Sequence, residues 1–419
     1  MPPHHAVAIT GMGAVTAQGI GVPATWQGVA AARDVLAPWS EIEPGHPLRS
    51  VKVAACPADL PRPADLPPRL WNALSRTQQL ACIAADEALA QARLPDRLRE
   101  GDGEEIGLFV ATTVCGMDKN ERFAAQYREN PDSADVNLMR RLQPYEVGEL
   151  LARRHRIARS AALREVCLTT CVGSAMAIGA AADAIALGEC EIALAGGSEA
   201  LCRVVLSGFH SLKVTAPDGC RPFDAHRPGM TVGEGAGILV LEHPEHARAR
   251  KAPILAYLRG FGVTCDAYHI TAPDPAGVQA IRAMRDALAR AHLQPGDIGY
   301  INAHGTGTKD NDAMEAGALH AVFAESPEPP MVSSTKRCTG HTFGAAGVIE
   351  AILCLQALHE NLIPPNAGSV EGDADPAMRL PVPRNHIYAG GERSLRAVMS
   401  TNFAFGGNNT ALVFAREED

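Results

Sequence analysis

The chain has 419 residues, of which 46% are hydrophobic and 20% are charged, and its formal net charge is −9. This length is too great for one small core, so we expect one large or two medium-sized domains. The acidic balance gives no general affinity for nucleic acid or for an anionic membrane surface, and we expect neither as a partner.

The cysteine content points to a reducing compartment. Eleven cysteines, an odd number, are scattered along the chain without paired C-x-x-C spacing. This pattern argues against a disulfide framework and against a structural zinc site. The first residues lack the basic and apolar regions of a signal peptide, and no apolar run approaches the roughly 20 residues of a membrane span. We therefore expect a cytoplasmic protein.

Strands and helices are predicted to alternate through the first half of the chain. Residues 20–68 are rich in proline and irregular, and residues 75–92 show a helical pattern. The charged residues 117–160 are interpreted as an exposed helical insertion. The predicted strands of this half lie at residues 7–10, 106–111, 166–170, 192–197 and 237–242.

The second half repeats this alternation. Its predicted strands lie at residues 254–262, 298–303 and 397–402, and its predicted helices at residues 276–291 and 344–359. Strands that alternate with helices indicate an α/β protein with a largely parallel sheet. Two such halves, residues 1–252 and 253–419, suggest an internally duplicated architecture, although no sequence identity between them is visible.

Cys171 lies where a short apolar run, residues 166–170, meets a run of small residues at 172–182. The small residues suit a helix that is buried on every side. A cysteine at the first turn of such a helix faces unpaired N–H groups and the positive end of the helix dipole, which both favour the thiolate. Cys171 is therefore a candidate nucleophile, and the alternative is one more small buried cysteine.

Two histidines lie in glycine-rich turns after predicted strands. His304 opens the sequence His-Gly-Thr-Gly-Thr, and His341 follows Gly340 in a segment that also contains Lys336. Glycine lets the backbone approach a ligand closely, and open α/β sheets place their sites at the carboxyl ends of strands. A further glycine-rich turn, residues 403–407, can present a backbone N–H group to an oxyanion.

Together, these four motifs resemble those of the β-ketoacyl-acyl-carrier-protein synthases of the thiolase superfamily, in particular the type II ketosynthases. The resemblance runs in order along nearly the whole chain. It implies the thiolase fold, a duplicated, layered αβαβα architecture with two mixed sheets. It also implies a dimer, either a homodimer or a heterodimer with a ketosynthase-like subunit.

The resemblance implies a decarboxylative Claisen condensation of an acyl thioester with malonyl-acyl carrier protein. Cys171 would carry the acyl chain, and the N–H groups of Cys171 and Phe403 would form the oxyanion hole, with Phe403 also acting as a gate. His304 and His341 would stabilise the enolate that forms when malonyl loses CO₂. Lys336 would position His304 or a water molecule, with Glu315 as its ion partner.

The resemblance also assigns residues that bind the substrate or support the site. Thr306 and Thr308 would contact the phosphopantetheine arm, and Thr113, Val114 and Cys115 would line the acyl pocket. Asp312 and Glu315 would support the catalytic residues. The alternative for Lys336, Glu315 and Asp312 is a buried ion network that only holds the loops.

The acyl carrier protein is the partner that the resemblance implies, and no metal or organic cofactor is needed because the pantetheine arm arrives with the substrate. Carrier proteins are acidic, so an acidic chain needs a local basic patch to bind one. The candidate residues are Lys213, Arg76, Arg140, Arg141 and the basic residues 153–156.

Two alternatives to a condensing enzyme are a non-catalytic, chain-length-determining subunit of a ketosynthase heterodimer and a thiolase that uses CoA. The first class typically lacks the nucleophile, and the second has a cysteine in place of one histidine. Two departures from the family pattern, Val172-Gly173 and Pro228-Gly229-Met230, favour a specialised polyketide or polyene pathway over housekeeping fatty-acid synthesis.

Overall fold

The computed structural model describes residues 6–43, 45–94, 106–157, 160, 163–369, 373–383, 388–389 and 394–416. Residues 1–5, to which the signal-peptide prediction refers, lie outside this part of the chain. Residues 158–159 of the predicted helical insertion also lie outside it.

Strands and helices alternate in the structure as predicted. The strands are β1 (Val7–Thr16), β2 (Gly19–Ile20), β3 (Ala37–Pro38), β4 (Lys52–Val53), β5 (Ile106–Ala111), β6 (Arg164–Cys167), β7 (Ile192–Glu199), β8 (Gly235–Glu242), β9 (Ala256–Cys265), β10 (Ile298–Asn302), β11 (Met331–Ser333), β12 (Leu362–Ile363), β13 (Tyr388–Ala389), β14 (Ala397–Phe403) and β15 (Asn408–Ala415). The helices are α1 (Val22–Ala30), α2 (Pro68–Ala73), α3 (Arg76–Gln91), α4 (Met117–Glu129), α5 (Tyr145–His155), α6 (Gly173–Ala186), α7 (Arg203–Ser211), α8 (Pro244–Ala249), α9 (Val278–Ala291), α10 (Lys309–Phe323), α11 (Lys336–Thr339) and α12 (Ala346–Glu360).

Each half of the chain builds the same mixed sheet. The strand order is β6-β5-β7-β8-β1 in the first half and β11-β10-β14-β15-β9 in the second. In both halves the first strand lies at one edge and pairs antiparallel with the last strand. The other three strands run parallel to one another. This repeated order confirms the duplicated α/β architecture.

The two predicted mixed sheets are joined edge to edge. β1 and β9 pair antiparallel over the three residue pairs Val7–Leu258, Ala8–Tyr257 and Ile9–Ala256. Each sheet thereby covers an edge that would otherwise expose unpaired N–H and C=O groups. The predicted boundary between residues 252 and 253 falls between α8 and β9 and stays a prediction.

Two buried helices, α6 and α12, pack against each other between the two half-sheets. Ten residues of α6 are buried. Its many alanine and glycine residues allow this close packing because their side chains are small. The 18-residue segment Phe343–Glu360, which contains α12, is long and apolar enough to cross a membrane, but 83% of it is buried inside the protein. Its apolar surface is therefore covered by the core.

Two departures from the sequence predictions concern the periphery. The segment 20–68, predicted to be irregular, contains helix α1, which begins with a proline in its first turn. Proline at that position is compatible with a helix because the first N–H groups lack partners in any case. The insertion predicted to be exposed at residues 117–160 is helical, and no residue of α4 is buried. Helix α5 of the same insertion departs from the prediction, because Val147, Gly148, Leu151 and Ala152 are buried.

In each half of the chain, one glycine allows the sheet to pack closely against its outer helix. A Cβ atom on Gly13 of β1 would lie 2.0 Å from the carbonyl oxygen of Ala84 in α3, and one on Gly262 of β9 would lie 2.0 Å from that of Ala283 in α9. Both distances are far below van der Waals contact, and the obstacle is backbone. Only glycine therefore fits at these two positions.

We expect Gly262→Ala to lower the free energy of unfolding by at least about 2–3 kcal/mol, because α9 must move away from β9. The matched control is Gly317→Ala in α10, where an added Cβ would meet nothing within 4 Å. That control should stabilise by up to about 1 kcal/mol, since alanine is the better helix former. Denaturant titration measures both, and equal midpoints for the two variants would contradict the prediction.

Candidate active site

The predicted catalytic residues meet at the carboxyl ends of parallel strands. Cys171 follows β6, His304 follows β10, and Lys336 and His341 follow β11. β10, β11 and β14 run parallel, so the segments that follow them leave the sheet at the same edge. The fold therefore brings residues from both halves of the chain to one place.

Cys171 lies in a short 3-10 turn, Thr170–Val172, directly before α6. Its Sγ atom is 3.0 Å from Nε2 of His341. Burial raises the pKa of the Cys171 thiol to about 12, although the charge of Lys336 acts in the opposite direction. The sequence favoured a resting thiolate, whereas in the structure burial outweighs the helix terminus. Cys171 therefore needs a proton acceptor, and His341 is in place to be one.

His304 is held in one tautomer by Lys336. The Lys336 Nζ atom lies 3.3 Å from Nδ1 of His304 and 2.6 Å from the His304 carbonyl oxygen. A lysine ammonium can only donate hydrogen bonds, so Nδ1 must accept and Nε2 must carry the proton. Burial, together with the Lys336 charge, holds the pKa of His304 well below its usual range. The ring is therefore neutral and presents an Nε2–H donor.

His341 is neutral for a similar reason. Burial holds its pKa well below the usual value for histidine, and the positive charge of Lys336 lowers it further. The rings of His304 and His341 lie edge to face with their centroids 5.1 Å apart. The two imidazoles are therefore close enough to contact the same substrate atom.

The prediction that Lys336 pairs with Glu315 is wrong. Lys336 forms a buried ion pair with Glu350 of α12, and Asn402 donates to the other oxygen of Glu350 at 2.5 Å. Glu315 instead accepts hydrogen bonds from the backbone N–H groups of His304 and Gly305, at 2.8 and 2.7 Å. The two carboxylates differ in position. Glu315 contacts the backbone of the turn that contains His304, whereas Glu350 of the apolar helix α12 lies next to Lys336.

We expect Lys336→Met to cost about 3–5 kcal/mol of unfolding free energy, because it leaves the Glu350 carboxylate buried without its cation. The double variant Lys336→Met/Glu350→Gln removes both charges and keeps an amide opposite Asn402. It should recover most of that loss. Chemical denaturation of the three proteins gives the comparison. A single variant as stable as the parent would contradict the ion-pair account.

Asp312 and Glu315 brace the turn that carries His304. Asp312 accepts hydrogen bonds from the N–H groups of Phe223 at 2.9 Å and Gly307 at 3.1 Å. Burial raises the pKa of Glu315 to about 7, while the hydrogen bonds that it accepts from backbone N–H groups act to lower that pKa. Both carboxyl groups therefore bind backbone N–H groups and do not line the cavity near Cys171. That they support the catalytic residues stays a prediction.

The amide beside the nucleophile belongs to Phe405, not to the predicted Phe403. The backbone N–H of Phe405 donates a hydrogen bond to the Cys171 sulfur and lowers the pKa of that thiol. The Thr170 hydroxyl donates to the Phe405 carbonyl oxygen at 3.1 Å and fixes this turn. Phe403 ends β14, and its ring lies 6.0 Å from the His304 ring. Both aromatic residues were in the motif, but only the turn geometry separates their roles.

A cavity of about 420 Å³ opens above Cys171. Thr306 and Thr308 line it, with their hydroxyl oxygens 2.9 Å apart, and the exposed Lys213 lies at its mouth. His304, His341 and Phe403 complete the inner wall. Cys171 and the two threonines therefore line one cavity.

The structure places Thr113, Val114 and Cys115 outside the lining of this cavity. Thr113 is exposed, whereas Val114 and Cys115 are buried. The N–H groups of Thr113 and Val114 donate to the buried carboxylate of Glu199. That an acyl chain reaches these three residues stays a prediction. No role was predicted for Glu199 from the sequence.

Most of the predicted basic patch is already paired. Arg76 forms an ion pair with Glu234, Arg141 with Glu146, and Arg154 with Asp65. Arg153 pairs with Glu149 of the same helix. Among the predicted residues, Lys213, Arg140, Arg153 and Arg156 are exposed, and Lys213 lies beside the cavity.

Known protein families match this chain over most of its length. The model of the beta-ketoacyl synthase N-terminal domain matches residues 4–247, and that of the C-terminal domain matches residues 255–369. The chain belongs to the beta-ketoacyl synthase family. The family resemblance predicted from the motifs is therefore confirmed, and this synthase is an acyltransferase-type enzyme that forms carbon–carbon bonds.

Relatives of the synthase fall in more than one pathway class. It is 36% identical to nodulation protein E of Rhizobium meliloti over 97% of this chain and 98% of the relative. It is also 36% identical to 3-oxoacyl-[acyl-carrier-protein] synthase 2 of Rhizobium meliloti (strain 1021), over 80% of each chain. The solved ishigamide ketosynthase/chain length factor superimposes with a TM-score of 0.87 at 32% identity, covering 99% of this chain and 100% of that one. This match confirms the thiolase fold.

Proposed function

We propose that this chain is the catalytic ketosynthase that joins an acyl group on Cys171 to malonyl-acyl carrier protein by decarboxylative Claisen condensation. The contact of 3.0 Å between Cys171 Sγ and His341 Nε2 carries the proposal. A non-catalytic, chain-length-determining subunit needs neither a nucleophile nor its proton acceptor. The intact constellation of Cys171, His304 and His341 therefore favours the catalytic role.

The first step is acyl transfer. Cys171 Sγ attacks the carbonyl carbon of an acyl thioester, and its proton passes to His341 Nε2. The N–H groups of Phe405 and Cys171 donate to the developing oxyanion, which is the task of preorganised donors in acyl transfer. The bond to the pantetheine sulfur breaks, that sulfur leaves as a thiol with the proton from His341, and the acyl chain stays on Cys171.

The second step is condensation. Malonyl loses CO₂, and the electrons of the broken C–C bond move to the thioester oxygen to form an enolate. His304 donates its Nε2–H to this oxygen, and His341 lies on the same side of the cavity. The enolate carbon attacks the acyl carbon, and the C–S bond to Cys171 breaks. The sulfur leaves as a thiolate, which takes up a proton from solvent. The product is a β-ketoacyl thioester on the carrier protein.

The residues that line the cavity support binding sites for the phosphopantetheine arm and for the carrier protein. Thr306 and Thr308 would bind the phosphopantetheine arm, and the exposed Lys213 at the mouth would face the acidic carrier protein. The arm brings the only prosthetic group that these steps use, so we propose that the enzyme needs no metal or organic cofactor of its own. A cytoplasmic location would supply the carrier.

We propose type II polyketide or polyene synthesis as the pathway, with fatty-acid synthesis as the alternative. Met230 lines the cavity in the segment Pro228-Gly229-Met230, which departs from the family pattern. The similarity to a ketosynthase that works with a chain length factor also supports this pathway, and it supports a heterodimer with a ketosynthase-like subunit beside the homodimer.

The test is product analysis with the purified chain, alone and with any ketosynthase-like subunit encoded beside it. Acyl-carrier proteins of increasing chain length are offered with malonyl-carrier protein, and β-ketoacyl products are identified by mass spectrometry. Product from the chain alone supports a homodimeric catalyst, and product only with the second subunit supports a heterodimer. No product under either condition would refute the catalytic role.

A further inference from the structure

Glu199 is a buried carboxylate without an ion partner. It ends β7 and is fully buried. In the described part of the chain, its hydrogen bonds come from backbone N–H groups and threonine hydroxyls, and no salt bridge joins it to a lysine or arginine. The donors are the N–H groups of Thr113, Val114 and Gly344 and the hydroxyls of Thr112 and Thr113. A carboxylate held in this way is costly and calls for a functional explanation.

The carboxylate bridges two strained turns. Phe343, directly before Gly344, has a φ of 45°, and Cys115, directly after Val114, has a φ of 53°. Non-glycine residues in the left-handed region cost about 1–3 kcal/mol each and persist only where their surroundings fix them. The Glu199 carboxylate supplies such a constraint, because it accepts the N–H group beside each strained residue.

One of these turns stands behind the catalytic histidine. The Phe343 ring lies 5.1 Å from the His341 ring and stacks on Phe209 at 5.2 Å. A Cβ atom on Gly344 would lie 2.6 Å from the Glu199 carboxylate. The turn therefore packs directly against the Glu199 carboxylate. The position of the turn determines where the Phe343 ring lies against His341.

We propose that Glu199 is a positioning residue, which holds the Phe343–Gly344 turn and through it keeps His341 at working distance from Cys171. The role of this contact in catalysis rests on the proposed function. Burial raises the pKa of Glu199 to about 7, and its charge in turn raises the pKa of the Cys171 thiol. A negative charge at this place opposes thiolate formation, so the charge itself does not activate Cys171.

Loss of the Glu199 charge and displacement of His341 should change the rate of Cys171 alkylation in opposite directions. The direction of the change therefore tells which effect dominates. In Glu199→Gln the loss of charge alone would speed the reaction of Cys171 with iodoacetamide, because only the thiolate reacts. A displaced His341 would slow it. We expect alkylation about tenfold slower than in the parent, since small misplacements of reacting groups have effects of this order or larger. Peptide mapping separates Cys171 from the exposed Cys265.

A double-mutant cycle separates positioning from general damage. If Glu199 acts through His341, Glu199→Gln should cause no further loss in a His341→Ala background. Gly344→Ala pushes the same turn from the other side and should give the same pattern, which keeps the test available if Glu199→Gln does not fold. The matched control is Glu87→Gln, a carboxylate that accepts the N–H groups of Ala14 and Val22 far from Cys171.

Slower alkylation that disappears in the His341→Ala background would support the proposal. Alkylation at or above the parental rate, or losses that multiply in the double variant, would overturn it. Because alkylation needs no carrier protein, absence of condensation by the parent would count against the proposed function alone.

Discussion

Cys171→Ala should abolish the acyl adduct and reduce β-ketoacyl product at least about a thousandfold. Cys171 is the sulfur beside both His341 Nε2 and the Phe405 amide, so no neighbouring group can take the acyl chain in its place. The variant should remain folded, because alanine fits the space that a small buried cysteine leaves. Adduct formation is measured by intact mass, and product by chromatography of the released chains.

The matched control for this variant is Cys167→Ala. Cys167 ends β6, only four positions before the nucleophile, and has the same 7% exposure as Cys171. It contacts Glu165 rather than a histidine. It should keep the adduct and the product. An adduct that survives in Cys171→Ala, or disappears in Cys167→Ala, would place the nucleophile elsewhere.

The two histidines should separate the two half-reactions. We expect His304→Ala to slow condensation by about 10²–10⁴-fold and to leave acylation of Cys171 within a few-fold of the parent. Lys336 orients Nε2–H of His304 as a donor, whereas the hydrogen bond to the sulfur comes from His341. His341→Ala should therefore slow both steps.

Single-turnover experiments resolve this prediction. Acylation is followed with the acyl donor alone, and condensation is started by adding malonyl-carrier protein to the acylated enzyme. The matched control is His359→Ala, an exposed histidine at the end of α12 whose partner is Glu360. Equal losses of acylation in His304→Ala and His341→Ala would contradict the division of roles.

The sequence predicted catalytic roles for Cys171, His304 and His341 because each has a local signature and the motifs together resemble one family. A run of small residues follows Cys171, and glycine-rich turns surround His304 and His341. The duplicated α/β architecture was visible as well, since strands and helices alternate through both halves. These features depend on neighbours in the chain, which a sequence displays directly.

The residues that were missed depend on neighbours in space. Glu350 is the one charged residue in the first part of an apolar helix, a signal that a buried cation lies opposite, but the sequence cannot say which cation. Phe403 and Phe405 are two positions apart, and only the end of β14 decides which amide faces the sulfur. Glu199 closes a strand that was predicted, yet its partners come from two distant turns.

The expectation of a resting thiolate at Cys171 failed for a related reason. A helix start favours the thiolate in proportion to its exposure to unpaired N–H groups. How far the surrounding core removes water from the sulfur follows from tertiary packing, and here this desolvation outweighs the other effects. In the proposed mechanism, Cys171 is therefore the nucleophile and His341 is the base that accepts its proton.

The most direct test of the central claim is the intact mass of the parent protein after incubation with acyl-carrier protein, followed by malonyl-carrier protein. The account predicts a mass increase of one acyl group, located on Cys171, that disappears on addition of malonyl-carrier protein as β-ketoacyl product forms. An unmodified protein with every donor, with or without a ketosynthase-like subunit, would contradict the claim that this chain is a condensing enzyme.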